Sequence, residues 1–132
     1  MQNESRNERQ TRARQWAMDT FGAAAATSPK ERIRRFTEEA IELAQADGLS
    51  KEEVLELVSY VYSRPAGEPA QEVGGVGLTL LIYCEQAGMS ADDLEQREFN
   101  RVLSKTREHF RARQDAKAAA GIATLSSDAV PG

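Results

Sequence analysis

Residues 28–48, SPKERIRRFTEEAIELAQADG, decide the fold class. Ser28-Pro29-Lys30-Glu31 reads as a capping box with proline at the first helical position. Ile33, Phe36, Ala40, Leu43 and Ala44 then recur at helical spacing, and Gly48 supplies the stop. Outward from this stretch the same punctuation returns. Ser50-Lys51-Glu52-Glu53 opens another helix, with Val54, Leu57, Val58 and Val61 inward, and the run from Arg64 to Pro69 breaks it. A further helix is expected from Pro69 to just before Gly88. It is apolar nearly all round between Val73 and Cys84, which makes it the expected buried centre of the fold. Ser90-Ala91-Asp92-Asp93 caps the last helix, with Leu94, Val102, Leu103 and Phe110 on its apolar side. Upstream, a helix over Glu4 to Ala25 carries Trp16, Ala17, Met18 and Phe21. Neither strand-like alternation nor an internal repeat is evident. The prediction is an all-α bundle of about five helices. A polar extension is expected over 1–10, one helical domain over 11–117, and a mobile tail over 118–132, where AAAGIATLSSDAVPG lacks periodicity.

Composition bounds the class. A chain of 132 residues that is 40% hydrophobic and 29% charged is expected to be a soluble domain, able to bury roughly 65–70% of its unfolded surface without a disulfide or metal. The single cysteine, Cys84, rules out a disulfide framework and points to a reducing, cytoplasmic setting. No apolar run approaches the ~20 residues of a membrane span, and MQNESRNERQ is unlike a signal peptide. The net charge of −4 hides an asymmetry. Residues 1–35 carry +4, residues 36–99 carry −11 and residues 100–132 carry +3.

The acidic middle has a pattern. Glu39 and Glu42 lie three apart on one helix, so both carboxylates can reach one ion. Glu39 borders the apolar stripe, Glu42 lies further out and Glu38 further still. Glu72 sits on the turn that leads into the most apolar helix. Carboxylates projecting from two helices into a bundle are a known way to bind divalent cations, and hard oxygen donors suit Mg2+ or Mn2+. The plainer alternatives are a solvated face for the pair and a helix-dipole contact for Glu72.

Glu38-Glu39-Ala40-Ile41-Glu42-Leu43, followed by Glu72-Val73-Gly74-Gly75-Val76, resembles the MazG-like all-α nucleoside triphosphate pyrophosphohydrolases. The pattern of that family is E-E-x-x-E, a spacer, then E-x-x-D, and the resemblance covers about residues 12–115. It implies a bundle completed as a homodimer or homotetramer. It also implies that a nucleoside triphosphate is cut to the monophosphate and pyrophosphate with Mg2+ (Mn2+ possible) as cofactor. Carried over, Glu39, Glu42 and Glu72 are the expected metal ligands, and Glu38 is a further ligand or the group that orients or deprotonates the attacking water. Lys105 and Arg35 are the expected contacts to the phosphates. One position departs from the pattern: Gly75 stands where the family has its last aspartate. The competing expectation is therefore a degenerate, non-catalytic protein of the same fold that binds a nucleotide or a protein partner.

Remaining residues divide the same way. Trp16, with Phe21, is either a nucleobase platform or core. Gly74, Gly75 and Gly77 either let helices pack closely or leave room for a ligand or second subunit. Arg6, Arg9 and Arg12 recur at helical spacing, which would suit nucleic-acid phosphates or a solvated face; the acidic balance of the chain favours the face. His109 has no Cys/His neighbours for zinc, and Cys84 reads as a buried thiol.

Overall fold

A computed structural model describes residues 4–127. Within them the chain is all-α, with seven helices and no strand. In order they are α1 (Arg6–Phe21), α2 (Ala23–Thr27), α3 (Pro29–Ala46), α4 (Lys51–Tyr62), α5 (Pro69–Gln86), α6 (Ala91–Leu103) and α7 (Arg107–Ala119). The chain divides into two units, one formed by residues 1–36 and 92–132, the other by residues 37–91.

The expected helix over Glu4 to Ala25 is two helices. Gly22 breaks it with φ +84, a backbone conformation that side chains with a Cβ resist. The Ser127 N–H donates to the Phe21 carbonyl at 2.8 Å beside it. A Cβ at position 22 would collide with the Ser127 backbone, so glycine is required for this close approach. The expected last helix is also two. Residues 104–106 separate α6 from α7, and the Thr106 hydroxyl caps α7 by accepting from the His109 N–H at 3.2 Å. The first helix begins at Arg6, inside the expected polar extension, with Ser5 and Glu8 forming a capping box; residues 1–3 lie outside the described residues.

The first unit has a true core. Ala17, Met18, Phe21, Ala25, Ala26 and Phe110 are buried together, with Trp16 and Val102 packed against them. Trp16 meets Phe21 and Phe110 edge-on, with ring centroids 5.6 and 5.2 Å apart, a favoured aromatic geometry. Phe99 is also buried, while Leu94 and Leu103, expected inward, are exposed.

Two polar clusters fasten this core. Arg9 is only 6% exposed. It donates to Asp92 at 2.7 Å, Glu95 at 2.6 Å and Gln96 at 3.2 Å, tying α1 to α6. Arg6 grips Glu95 with two hydrogen bonds, and Arg12 pairs with Glu4 at 2.7 Å while lying over the Phe99 ring. The second cluster surrounds Glu31, which has no exposure at all. Its backbone N–H donates to the Ser28 hydroxyl, the first half of the expected capping box. Its carboxylate accepts from Gln114 of α7 at 2.8 Å and from the Thr124 N–H at 2.9 Å, and pairs with Arg35 at 3.2 Å. Arg35 also donates to the Ile122 carbonyl, and Asp115 accepts from both the Ser126 N–H and hydroxyl. Residues 122–127, expected to belong to a mobile tail, are thus hydrogen-bonded to α1, α3 and α7. Residues 128–132 lie outside the described residues.

The second unit is different. The Ser50–Glu53 capping box of α4 forms as expected, but Cys84 is the one buried residue among the described positions of this unit. The α5 helix is not the buried centre that its composition calls for: Val73, Leu78, Leu81 and Ile82 are more than half exposed. The physical reason is that α5 has an apolar surface on more sides than one chain's neighbouring helices cover. A repeat that the sequence reading misses also emerges. Gly48-Leu49-Ser50 and Gly88-Met89-Ser90 make the same connector, with φ +92 and +71 at the glycines. Leu49 N–H bonds to the Ala44 carbonyl and Met89 N–H to the Cys84 carbonyl, at 2.9 and 2.8 Å, the Schellman closure of a helix end.

Two outcomes follow from the polar clusters. Glu31→Ala removes the acceptor of the Gln114 amide and of the Thr124 N–H and the ion-pair partner of Arg35, and should destabilise the protein by about 3 kcal/mol in urea titrations, whereas Glu31→Gln, which retains one acceptor oxygen, should cost less. Burial works to raise the Glu95 carboxyl, but Arg6 and Arg9 outweigh it and hold it below the ordinary 4.5. A carboxyl so depressed contributes stability above its unfolded value and loses it as pH falls through its folded value. Arg9→Met should therefore flatten the acid limb of the stability curve below about pH 5, as measured by thermal melts across pH.

Candidate cation site

The acidic side chains named from the sequence fall in the second unit. Ten carboxylates and two basic residues there give a net charge of −8. Glu39 and Glu42 are exposed on α3, one turn apart, and Glu38 beside them is half-buried. Their common placement follows from an uninterrupted helix through Pro29–Ala46, which puts residues three apart on one side. Glu72 is exposed in the first turn of α5, where the positive end of the helix dipole favours its charge. Its carboxylate curls over Gly67 in the preceding loop; a Cβ there would lie 2.6 Å from the Glu72 Oε1 atom.

Among the described residues, no three His, Cys, Asp or Glu side chains are close enough to share a metal ion. One chain therefore presents the Glu39–Glu42 pair and Glu72 separately. The donor chemistry suits a hard divalent cation, since all the candidates are carboxylates and three are exposed enough to leave room for water and phosphate oxygens. Gly75 adds no ligand.

Gly74, Gly75 and Gly77 do not serve close packing within the chain. No neighbouring atom lies within 4 Å of where a Cβ would stand at any of them. They form a bare strip on α5, one turn beyond Glu72. Of the two roles read from the sequence, helix packing within the chain is not realised. At the far end of α5, burial first and then the adjacent Asp47 push the Tyr83 hydroxyl above its ordinary value. Asp47 sits in the turn after α3.

The expected phosphate and base contacts lie in the first unit. Arg35 is half-buried and committed to Glu31 and the Ile122 carbonyl. Lys105 is exposed, and it stands in the turn between α6 and α7, not on the last helix. Trp16 is half-buried in its edge-on contacts with Phe21 and Phe110, the core role of the two read for it. Arg6 and Arg9 of the stripe are engaged by Glu95 and Asp92 and so clamp α1 to α6, while Arg12 pairs with Glu4 just ahead of its own helix. The sequence reading missed the buried role of Glu31; its only signal was a charged residue one turn from an apolar stripe.

No known protein family, curated protein or solved structure matches the chain.

The open space over Gly75 generates one outcome. Gly75→Asp meets no steric obstacle, and the two residue types differ little in helix propensity. The variant should keep its helicity by circular dichroism and its stability to within about 0.5 kcal/mol.

Proposed function

We propose that the protein is a Mg2+-dependent nucleoside triphosphate pyrophosphohydrolase that works in nucleotide-pool housekeeping. The reading rests on the sequence resemblance. The observation that supports it best is the Glu39–Glu42 pair, exposed one turn apart on α3 in the same acidic unit as Glu72. In this reading Glu39 and Glu42, together with Glu72, which one chain keeps apart from them, would hold the ion, and the ion would offset phosphate charge when bound. Glu38 orients the water and accepts its proton. The water oxygen bonds to phosphorus at the α–β bridge, the anhydride bond breaks, and the monophosphate and pyrophosphate separate.

A second reading keeps the fold without the reaction, as a binder of nucleotide or protein. Gly75 favours it, because the position that would complete the ligand set offers no oxygen. Incubation with Mg2+ and a panel of canonical and altered triphosphates should yield equal amounts of monophosphate and pyrophosphate. Removing two ligands in Glu39→Gln/Glu42→Gln should lower the rate at least about 100-fold. Release no greater than in that double variant rejects the enzyme reading for the triphosphates tested, and activity that appears only in Gly75→Asp identifies a degenerate enzyme.

A homodimer or homotetramer belongs to the same proposal. A unit with one buried residue has too little core to offset its own chain entropy, and contiguous apolar faces of this kind mark association surfaces. Burying an exposed Leu or Ile contributes roughly 1.5–3 kcal/mol, so a few such side chains on α4 and α5 suffice to drive pairing. A second copy would also supply the further carboxylates that one chain keeps apart. Light scattering should give at least twice the chain mass. Leu81→Asp, which changes an exposed position of the single chain, should shift the population to monomer.

A further inference from the structure

On α1 and in the first turns of α3, most arginines have acidic partners: Arg6, Arg9, Arg12 and Arg35. Arg14, Arg32 and Arg34 form no such ion pair among the described residues, and of these Arg14 and Arg32 share a cleft. Arg32 is half-buried, and its Nε atom is sealed from solvent without a hydrogen-bond partner. Burial pushes its guanidinium below the ordinary arginine range. The neighbouring Glu31 offsets part of this, and Arg35 adds to it. Glu31 gives no direct relief, because its oxygens are taken by Gln114, Thr124 and Arg35. The half-buried guanidinium thus has Glu31 as a partial counter-charge but no hydrogen-bonded acceptor at Nε.

Both arginines line one cleft of about 450 Å3, together with Ala13, Ala17, Ala26 and Thr27. The cleft lies wholly in the first unit. Gly22 turns α2 back beside α1, and the alanines facing that angle are too small to fill it. Ala17 and Ala26 are themselves buried, so the apolar wall is firm. The Thr27 hydroxyl donates to the Ala23 carbonyl at 2.7 Å, so the charged side chains that line the space are Arg14 and Arg32.

We propose that this cleft binds a phosphorylated small molecule, with its phosphate between Arg14 and Arg32 and its apolar part against Ala13, Ala17 and Ala26. Two guanidiniums match the roughly −1.5 to −2 charge of a phosphomonoester better than the single charge of a carboxylate, and their planar forks suit phosphate oxygens. A volume of this size takes a small organic molecule as well as the phosphate. The site uses none of Glu38, Glu39, Glu42 or Glu72, so it stands whether or not the triphosphate reading holds.

Titration calorimetry on the full chain, in EDTA and at constant ionic strength, tests the proposal with phenyl phosphate, inorganic phosphate and benzoate. Saturable binding of phenyl phosphate is expected, tighter than that of inorganic phosphate and at least tenfold tighter than that of benzoate. Arg32→Met and Arg14→Met should each weaken it at least tenfold. Arg34→Met, which removes the same charge outside the cleft lining, should leave it intact, as should Glu39→Gln/Glu42→Gln. Arg14 is exposed, so Arg14→Met decides the matter if Arg32→Met fails to fold. Non-saturable heats, benzoate binding as tight as phenyl phosphate, or equal weakening by Arg34→Met would overturn the site.

Discussion

The first unit hangs on one fully buried carboxylate. Glu31 has to find donors for both oxygens inside the protein, because an unmatched charge at zero exposure is among the most expensive features a fold can carry. It finds them on α7, on Arg35 one turn along its own helix, and on the backbone of residue 124. Those bonds set the start of α3, the approach of α7 and the path of the chain after α7 together. The latch between Ser127 and Phe21, possible only because residue 22 is glycine, closes the same loop of constraints.

Helix positions were legible in the sequence because caps and periodicity are local. Ser28 and Ser50 open α3 and α4 where expected, and Pro69 opens α5. The break at Gly22 was not legible, since a glycine within a run of helix formers acquires its meaning from Ser127, far along the chain. The Ser104–Thr106 break was hidden for a related reason: Thr106 becomes a cap only once α6 has stopped. Tail residues 122–127 have no periodicity, yet their backbone is ordered by side chains from α3 and α7. Periodicity also told which faces of α5 are apolar, but not what covers them.

The candidate cation site divides along the same line. Spacing within one helix is sufficient to place Glu39 beside Glu42. Bringing Glu72 to them depends on contacts between helices, which no local pattern encodes. Charge shows the difference in scale. The sequence suggests basic ends around an acidic middle, whereas the fold sorts charge by unit, +4 in the first and −8 in the second. Within the first unit, Arg6 and Arg9 of α1 are turned toward acids on α6, and Arg14 and Arg32 line its cleft.

The bare strip on α5 carries a thermodynamic consequence. Glycine at 74, 75 and 77 weakens the helix by about 1 kcal/mol per position relative to alanine, and a helix so handicapped draws its stability from whatever covers it. If a second copy covers it, as proposed above, the order of α5 becomes a mass-action quantity. Its stability then rises with the logarithm of the concentration of that molecule, while the first unit, with its own core, stays insensitive to dilution.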